Sequence, residues 1–178
     1  MTVQPAEVAK ADLEWSAQRL RWQFRVIQRE ERQELKASLV RVLIVDDFDP
    51  WLGFVVQLLR QQPHVRIIGF ASDGLEALQK VQELQPDLIL LDIGLPKLNG
   101  IEAARQIRKL VPKARILFLS SNSDPDVVRA AFIAGGQGYV LKSDAEGALL
   151  RGIEAVLLGK QVVSSSLKEI EDLAGPEE

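Results

Sequence analysis

The chain has 178 residues, 47% of them hydrophobic, with 22 basic and 25 acidic side chains and a formal net charge of −3. That length suits one domain of ordinary size with chain to spare, and the slight acidic excess argues against a protein built mainly to hold nucleic acid. No cysteine is present, which excludes disulfides and thiolate metal sites, and the apolar runs fall far short of the roughly 20 residues of a membrane span, so a soluble, cytoplasmic protein is expected.

The pattern divides into an extension over 1–39, a main domain over 40–160 and a tail over 161–178. In the extension, Leu13, Ala17, Leu20, Phe24 and Ile27 recur at alternating spacings of four and three, which predicts an amphipathic helix with a coiled-coil-like face. Trp15, Trp22 and Val26 add a second apolar strip. So wide a stripe needs cover, and three readings stand: a dimerising or partner-binding helix, a helix folded back on the main domain, or an upstream extension from a misplaced start.

From residue 41 onward, apolar runs alternate with helical periods, the signature of βα units and a parallel sheet. Strands are expected at about 41–46, 65–71, 87–92, 114–120 and 137–141. The first helix should open with Asp49 as N-cap and Pro50 in the first turn, turning Leu52, Val55, Val56 and Leu59 inward. A capping box of Asp73 and Glu76 should start the second, which buries Leu75, Leu78 and Val81. The third starts near Gly100 with Ile101, Ala104, Ile107 and Leu110 on its inner face, and the fourth runs from Asp124-Pro125 to Gly135-Gly136. Ser143 and Glu146 form another capping box before Leu149, Ile153, Val156 and Leu157 in the fifth. The fold class is therefore α/β: a doubly wound, five-stranded parallel sheet of flavodoxin-like order 2-1-3-4-5, with an N-terminal helical extension.

In such a fold, sites form at the carboxyl ends of strands beside the switch point between strands one and three. Asp46 and Asp47 follow the first apolar run and Asp92 ends the third. Three carboxylates brought together repel one another unless a hard cation with oxygen ligands offsets them, and Mg²⁺ is the expected ion. Ser120 ends the fourth run and Lys142 follows the fifth. A metal, a carboxylate, a hydroxyl and an ammonium together suit phosphoryl chemistry, with Asp92 as nucleophile.

Those residues stand in the segments VLIVDDFD (42–49), LLDIGLPKLNG (90–100), LFLSS (117–121) and GYVLK (138–142). In that order and spacing they resemble the receiver domain of bacterial two-component response regulators. The resemblance implies a phosphorylation switch rather than a conventional enzyme, in which Asp92 takes a phosphoryl group from a sensor histidine kinase or a phosphotransfer protein. It implies that Asp46, Asp47, Asp92 and the backbone carbonyl of Gly94 hold Mg²⁺, that Ser120 and Lys142 contact the phosphoryl group, and that Tyr139 is a switch aromatic turning inward with Ser120. The altered surface around the fourth helix, fifth strand and fifth helix would meet an unidentified downstream protein or a second copy of the chain; the N-terminal helix is the other candidate dimer contact. No direct nucleic-acid binding and no membrane partner are expected.

Ser143 follows Lys142 where many receivers have a proline in a cis bond, and the segments 152–156 and 162–166 likewise resemble NarL/FixJ-type receivers. In that subfamily a helix-turn-helix domain follows, and none is expected within this chain. Gly94 and Asn122 leave room for an attacking water, which predicts a short-lived acyl phosphate. The alternatives are a phosphorylation-independent interaction module, a transcriptional regulator whose DNA-binding domain lies outside this chain, and a phosphatase of the haloacid-dehalogenase type. The last expects a second acid where Gly94 stands. His64, beside Pro63 in a turn, is given no role.

Overall fold

In a computed structural model, residues 39–167 are described, all within the compact unit Leu39–Glu178. The expected N-terminal helix and the end of the tail lie outside the described residues. Strands β1 (Val40–Val45), β2 (Val65–Ala71), β3 (Leu88–Asp92), β4 (Arg115–Ser120) and β5 (Gly138–Leu141) alternate with helices α1 (Asp49–Leu59), α2 (Gly74–Leu84), α3 (Gly100–Leu110), α4 (Pro125–Ile133) and α5 (Ala145–Leu157). All strand pairs are parallel, and the order is β2-β1-β3-β4-β5-β6. The sixth strand corrects the expected count of five. It is only Val162–Val163, but Val162 N–H donates to Gln137 O and Ser164 N–H to Tyr139 O, which extends the sheet beyond β5.

The central strands β3 and β4 are buried on both faces, as parallel strands covered by two helical layers must be. One apolar cluster joins the sheet to α2, α3 and α4, and the other joins it to α1 and α5. Helix α2 starts as expected at Asp73, whose carboxylate accepts Glu76 N–H at 2.8 Å. The reciprocal arm differs: Glu76 accepts from Ser72 N–H at 2.7 Å and Ser72 Oγ–H at 3.0 Å. Asp124 and Asn99 cap α4 and α3.

Two other caps and two core residues are corrected. Asp49 is the first residue of α1, so the cap position falls to Phe48, which has no side-chain acceptor to offer. A 3₁₀ turn, Lys142–Asp144, precedes α5, and Ser143 Oγ lies 3.3 Å from Asp144 Oδ1 instead of capping the helix. Leu75 and Leu110 are 53% and 41% exposed, because Gly74, Ala77 and Val81 in α2, and Gly100, Ala103, Ala104 and Ile107 in α3, take the inward positions. Among the described residues no peptide bond is cis, including the Lys142–Ser143 bond, and no helix is long and apolar enough to cross a membrane.

Candidate functional site

Strand register brings the expected residues to one edge of the sheet. Asp92 pairs with Leu119 across β3 and β4, and Ser120 with Leu141 across β4 and β5, so Asp92, Ser120 and Lys142 sit at adjacent strand ends. Asp46 and Asp47 follow β1 on the other side of β3. The β3–α3 loop is held close beneath: Gly100 N–H donates to Ile93 O at 3.0 Å, and a Cβ on Gly100 would stand 1.9 Å from Asp92 O. Only glycine lets α3 start so near the end of β3.

One carboxylate oxygen from each of Asp46, Asp47 and Asp92 can be chosen so that all lie within 4.8 Å of one another. Asp46 is buried and Asp47 exposed. Lys142 Nζ approaches Asp46 Oδ2 at 2.6 Å and Asp92 Oδ1 at 3.3 Å, so part of the negative charge is answered from within the chain. Burial pushes the Asp92 carboxyl above its ordinary pKa; the Lys142 ammonium opposes that shift and the Asp46 carboxylate adds to it. Hard oxygen donors with an exposed member at the rim suit a hard divalent cation.

Ser120 is buried, and its Oγ accepts Asn122 N–H at 3.1 Å. Tyr139 is fully buried, and its hydroxyl donates to Asn122 O at 2.7 Å. Asn122 thus ties the β4 hydroxyl to the β5 aromatic through its own backbone. Burial raises the Tyr139 pKa, a hydrogen bond with Ser120 opposes this, and the charges of Asp92 and Asp124 add to it. Gly94 is exposed, and a Cβ there would lie 3.4 Å from Asp92 Oδ2.

Every expected site residue is therefore at or beside this edge. Sequence reasoning missed two participants. Trp51 lies with its ring centroid 5.3 Å from Lys142 Nζ. Ser164 is buried beyond β6, where its Oγ accepts Leu141 N–H at 3.2 Å, next to the lysine. The signal for Trp51 was its place in the first turn of the helix that follows the acidic pair; for Ser164 there was none beyond the serine run.

A flavodoxin-like sheet with carboxylates, a hydroxyl and an ammonium gathered at its switch-point edge defines the class of receiver modules. The chain belongs to the response regulator receiver domain family, whose model matches residues 42–154, the receivers of two-component systems. It is 34% identical over 130 residues to the nitrate/nitrite response regulator NarL of Escherichia coli strain K12, covering 72% of this chain and 60% of that protein. Among solved structures it is similar to a LuxR-family two-component response regulator from Aurantimonas sp. SI85-9A1, with TM-score 0.72, 34% identity, 76% of this chain and 98% of that one. The receiver domain of the putative response regulator NarL from Mycobacterium tuberculosis aligns with TM-score 0.66 and 28% identity over 69% and 99% of the two chains. The chain spans about three fifths of the length of the curated regulatory proteins it matches.

Proposed function

We propose that the chain is a phosphorylation switch whose acceptor is Asp92. An Asp92 oxygen attacks the phosphorus of a phosphohistidine on a sensor kinase or phosphotransfer protein, the P–N bond breaks, the imidazole leaves, and an acyl phosphate forms. The single observation that carries this reading is the meeting of Asp46, Asp47 and Asp92 within 4.8 Å beside the Lys142 ammonium.

Asp46, Asp47, Asp92 and the Gly94 carbonyl would hold Mg²⁺. When bound, that ion supplies positive charge against the phosphoryl oxygens. Lys142 offers its ammonium to the same oxygens once the carboxylate charge of Asp92 is spread over the phosphoryl group. Ser120 donates its hydroxyl to the phosphoryl group. Tyr139 already lies inward, and its bond to Asn122 O couples its position to the backbone that Ser120 holds. A pull on Ser120 would shift that backbone and so reshape the surface of α4, β5 and α5. Hydrolysis returns the switch: water attacks phosphorus, the P–O bond to Asp92 breaks, and inorganic phosphate leaves. In both directions the domain takes part in its own chemistry.

Incubation with Mg²⁺ and acetyl phosphate, followed by intact mass, tests this. The expected result is a single phosphoryl adduct, lost in Asp92→Asn. An unmodified wild-type chain would favour a passive interaction module instead.

A further inference from the structure

We propose that Trp51 is a positioning residue of this site, holding the Lys142 ammonium against its indole face so that it stands between Asp46 and Asp92. The idea rests on the reading of Asp92 as phospho-acceptor only for its kinetic consequence. Lys142 is fixed from three separate elements: Asp46 in the β1–α1 loop at 2.6 Å, Asp92 at the end of β3 at 3.3 Å, and the ring of Trp51 in α1, 5.3 Å from its centroid. The lysine side chain is only 17% exposed, so the contact is partly desolvated, where attraction between an ammonium and an aromatic face is strongest.

Trp51 Nε1 is buried, and among the described residues it has no hydrogen-bond partner. A buried N–H without an acceptor costs free energy, and an apolar side chain in the same place would avoid that cost. What tryptophan offers in return is a large ring with the strongest quadrupole, and that ring packs on Phe54, with centroids 5.1 Å apart and planes tilted by 33°. The face is neutral, which matters for a switch. When a cation or a phosphoryl group alters the charge on Asp46 and Asp92, the carboxylates change their hold on Lys142 while the ring keeps its own. The lysine can then turn from one partner to the next without leaving the site.

The test compares full-length wild type, Trp51→Phe and Trp51→Leu. The ε-methylene protons of Lys142, assigned by their loss in Lys142→Met, should lie upfield of the ordinary lysine position through the indole ring current, stay partly shifted in Trp51→Phe, and return to the ordinary position in Trp51→Leu. With Mg²⁺ and acetyl phosphate, the initial rate of adduct formation should fall about fivefold in Trp51→Leu and stay within about twofold in Trp51→Phe, since a partly desolvated ammonium–ring contact is worth about 1 kcal/mol. Unshifted ε-methylene signals in the wild type, or equal rates in the wild type and Trp51→Leu, overturn the proposal. So does an equal loss in both variants, which marks a packing role. A wild type that takes no phosphoryl group overturns the acceptor reading instead, and the ring-current shift alone then decides the role of Trp51.

Discussion

Lys142 Nζ stands 2.6 Å from Asp46 Oδ2, while the other oxygen of Asp46 accepts Phe48 N–H at 3.0 Å. Both oxygens of this buried acid are therefore engaged from within the chain. A divalent cation must compete with the ammonium for one of them. In Lys142→Met the competitor and its repulsion disappear while the aliphatic stem remains. Mg²⁺ should bind at least about tenfold more tightly in isothermal titration calorimetry, since a unit-charge pair at about 4 Å is worth about 1 kcal/mol in water and about 4 kcal/mol near a protein surface. The phosphoryl adduct from acetyl phosphate should drop at the same time. Unchanged Mg²⁺ affinity would mean that the ion does not use Asp46.

Gly94 has room for a side chain, and that side chain would cover the Asp92 carboxylate. Its Cβ would sit in ordinary contact with Asp92 Oδ2 at 3.4 Å, and its backbone is not in the left-handed region. Gly94→Met should therefore fold normally and crowd the path of a water approaching the acyl phosphate. Loss of the adduct, followed by intact mass after removal of the phosphodonor, should slow roughly fivefold, a barrier change of about 1 kcal/mol. No slowing would show that water reaches phosphorus from another side.

Large residues made the sheet legible and misled the helices. The runs at Val42–Val45, Leu88–Leu91 and Ile116–Leu119 fill strands buried on both faces, so composition alone locates them. Helices that lie close on a sheet do so through small side chains. A Cβ on Gly74 would stand 2.1 Å from Leu98 O, so the inward line of α2 runs through Gly74 and Ala77, one residue away from the exposed Leu75, while Leu78 packs partly buried against the core. The acidic trio, Ser120 and Lys142 were legible because each ends or follows an apolar run and parallel register gathers such ends. The ring beneath Lys142 was not, since it depends on how α1 is rotated about its axis. Nor was β6, whose two residues have no periodicity to read.

Residues 158–167, after α5, belong to the folded unit. Leu167 is 3% exposed and joins the cluster that contains Tyr139 and Phe118, while Ser164 bonds to both Tyr139 O and Leu141 N–H. Leu167→Ala should cost roughly 2–5 kcal/mol in urea unfolding, as for other buried leucines. Ending the chain after Lys160 should cost at least as much, because the β5–β6 bonds go too. A truncated protein as stable as the parent would place 161–167 outside the core.

Tyr139 offers two separable contributions. Its hydroxyl bonds Asn122 O at 2.7 Å, and its ring lies 6.4 Å from that of Phe118 at a 35° tilt. Tyr139→Phe removes the first and should cost about 1 kcal/mol. Tyr139→Ala removes both and should cost roughly 3–5 kcal/mol. Urea unfolding of both variants separates the two; equal losses would place the whole effect in the hydroxyl.

Asp73 links the start of α2 to the loop after β3, for Lys97 Nζ reaches its carboxylate at 2.5 Å. Lys97 itself adopts φ 62°, a left-handed conformation that the loop imposes. The Lys97 hydrogen bond, followed by that from Glu76 N–H, holds the Asp73 carboxyl below its ordinary value of 3.8. A carboxyl depressed in the folded state adds stability above its unfolded pKa and loses it as pH falls through the folded pKa. Asp73→Asn keeps an acceptor for Glu76 N–H and removes the ion pair. The wild type should therefore melt higher than the variant by a constant margin above about pH 5, and the margin should close as pH drops below about 4. A margin that persists unchanged in acid would show that the stabilisation does not come from the carboxylate charge.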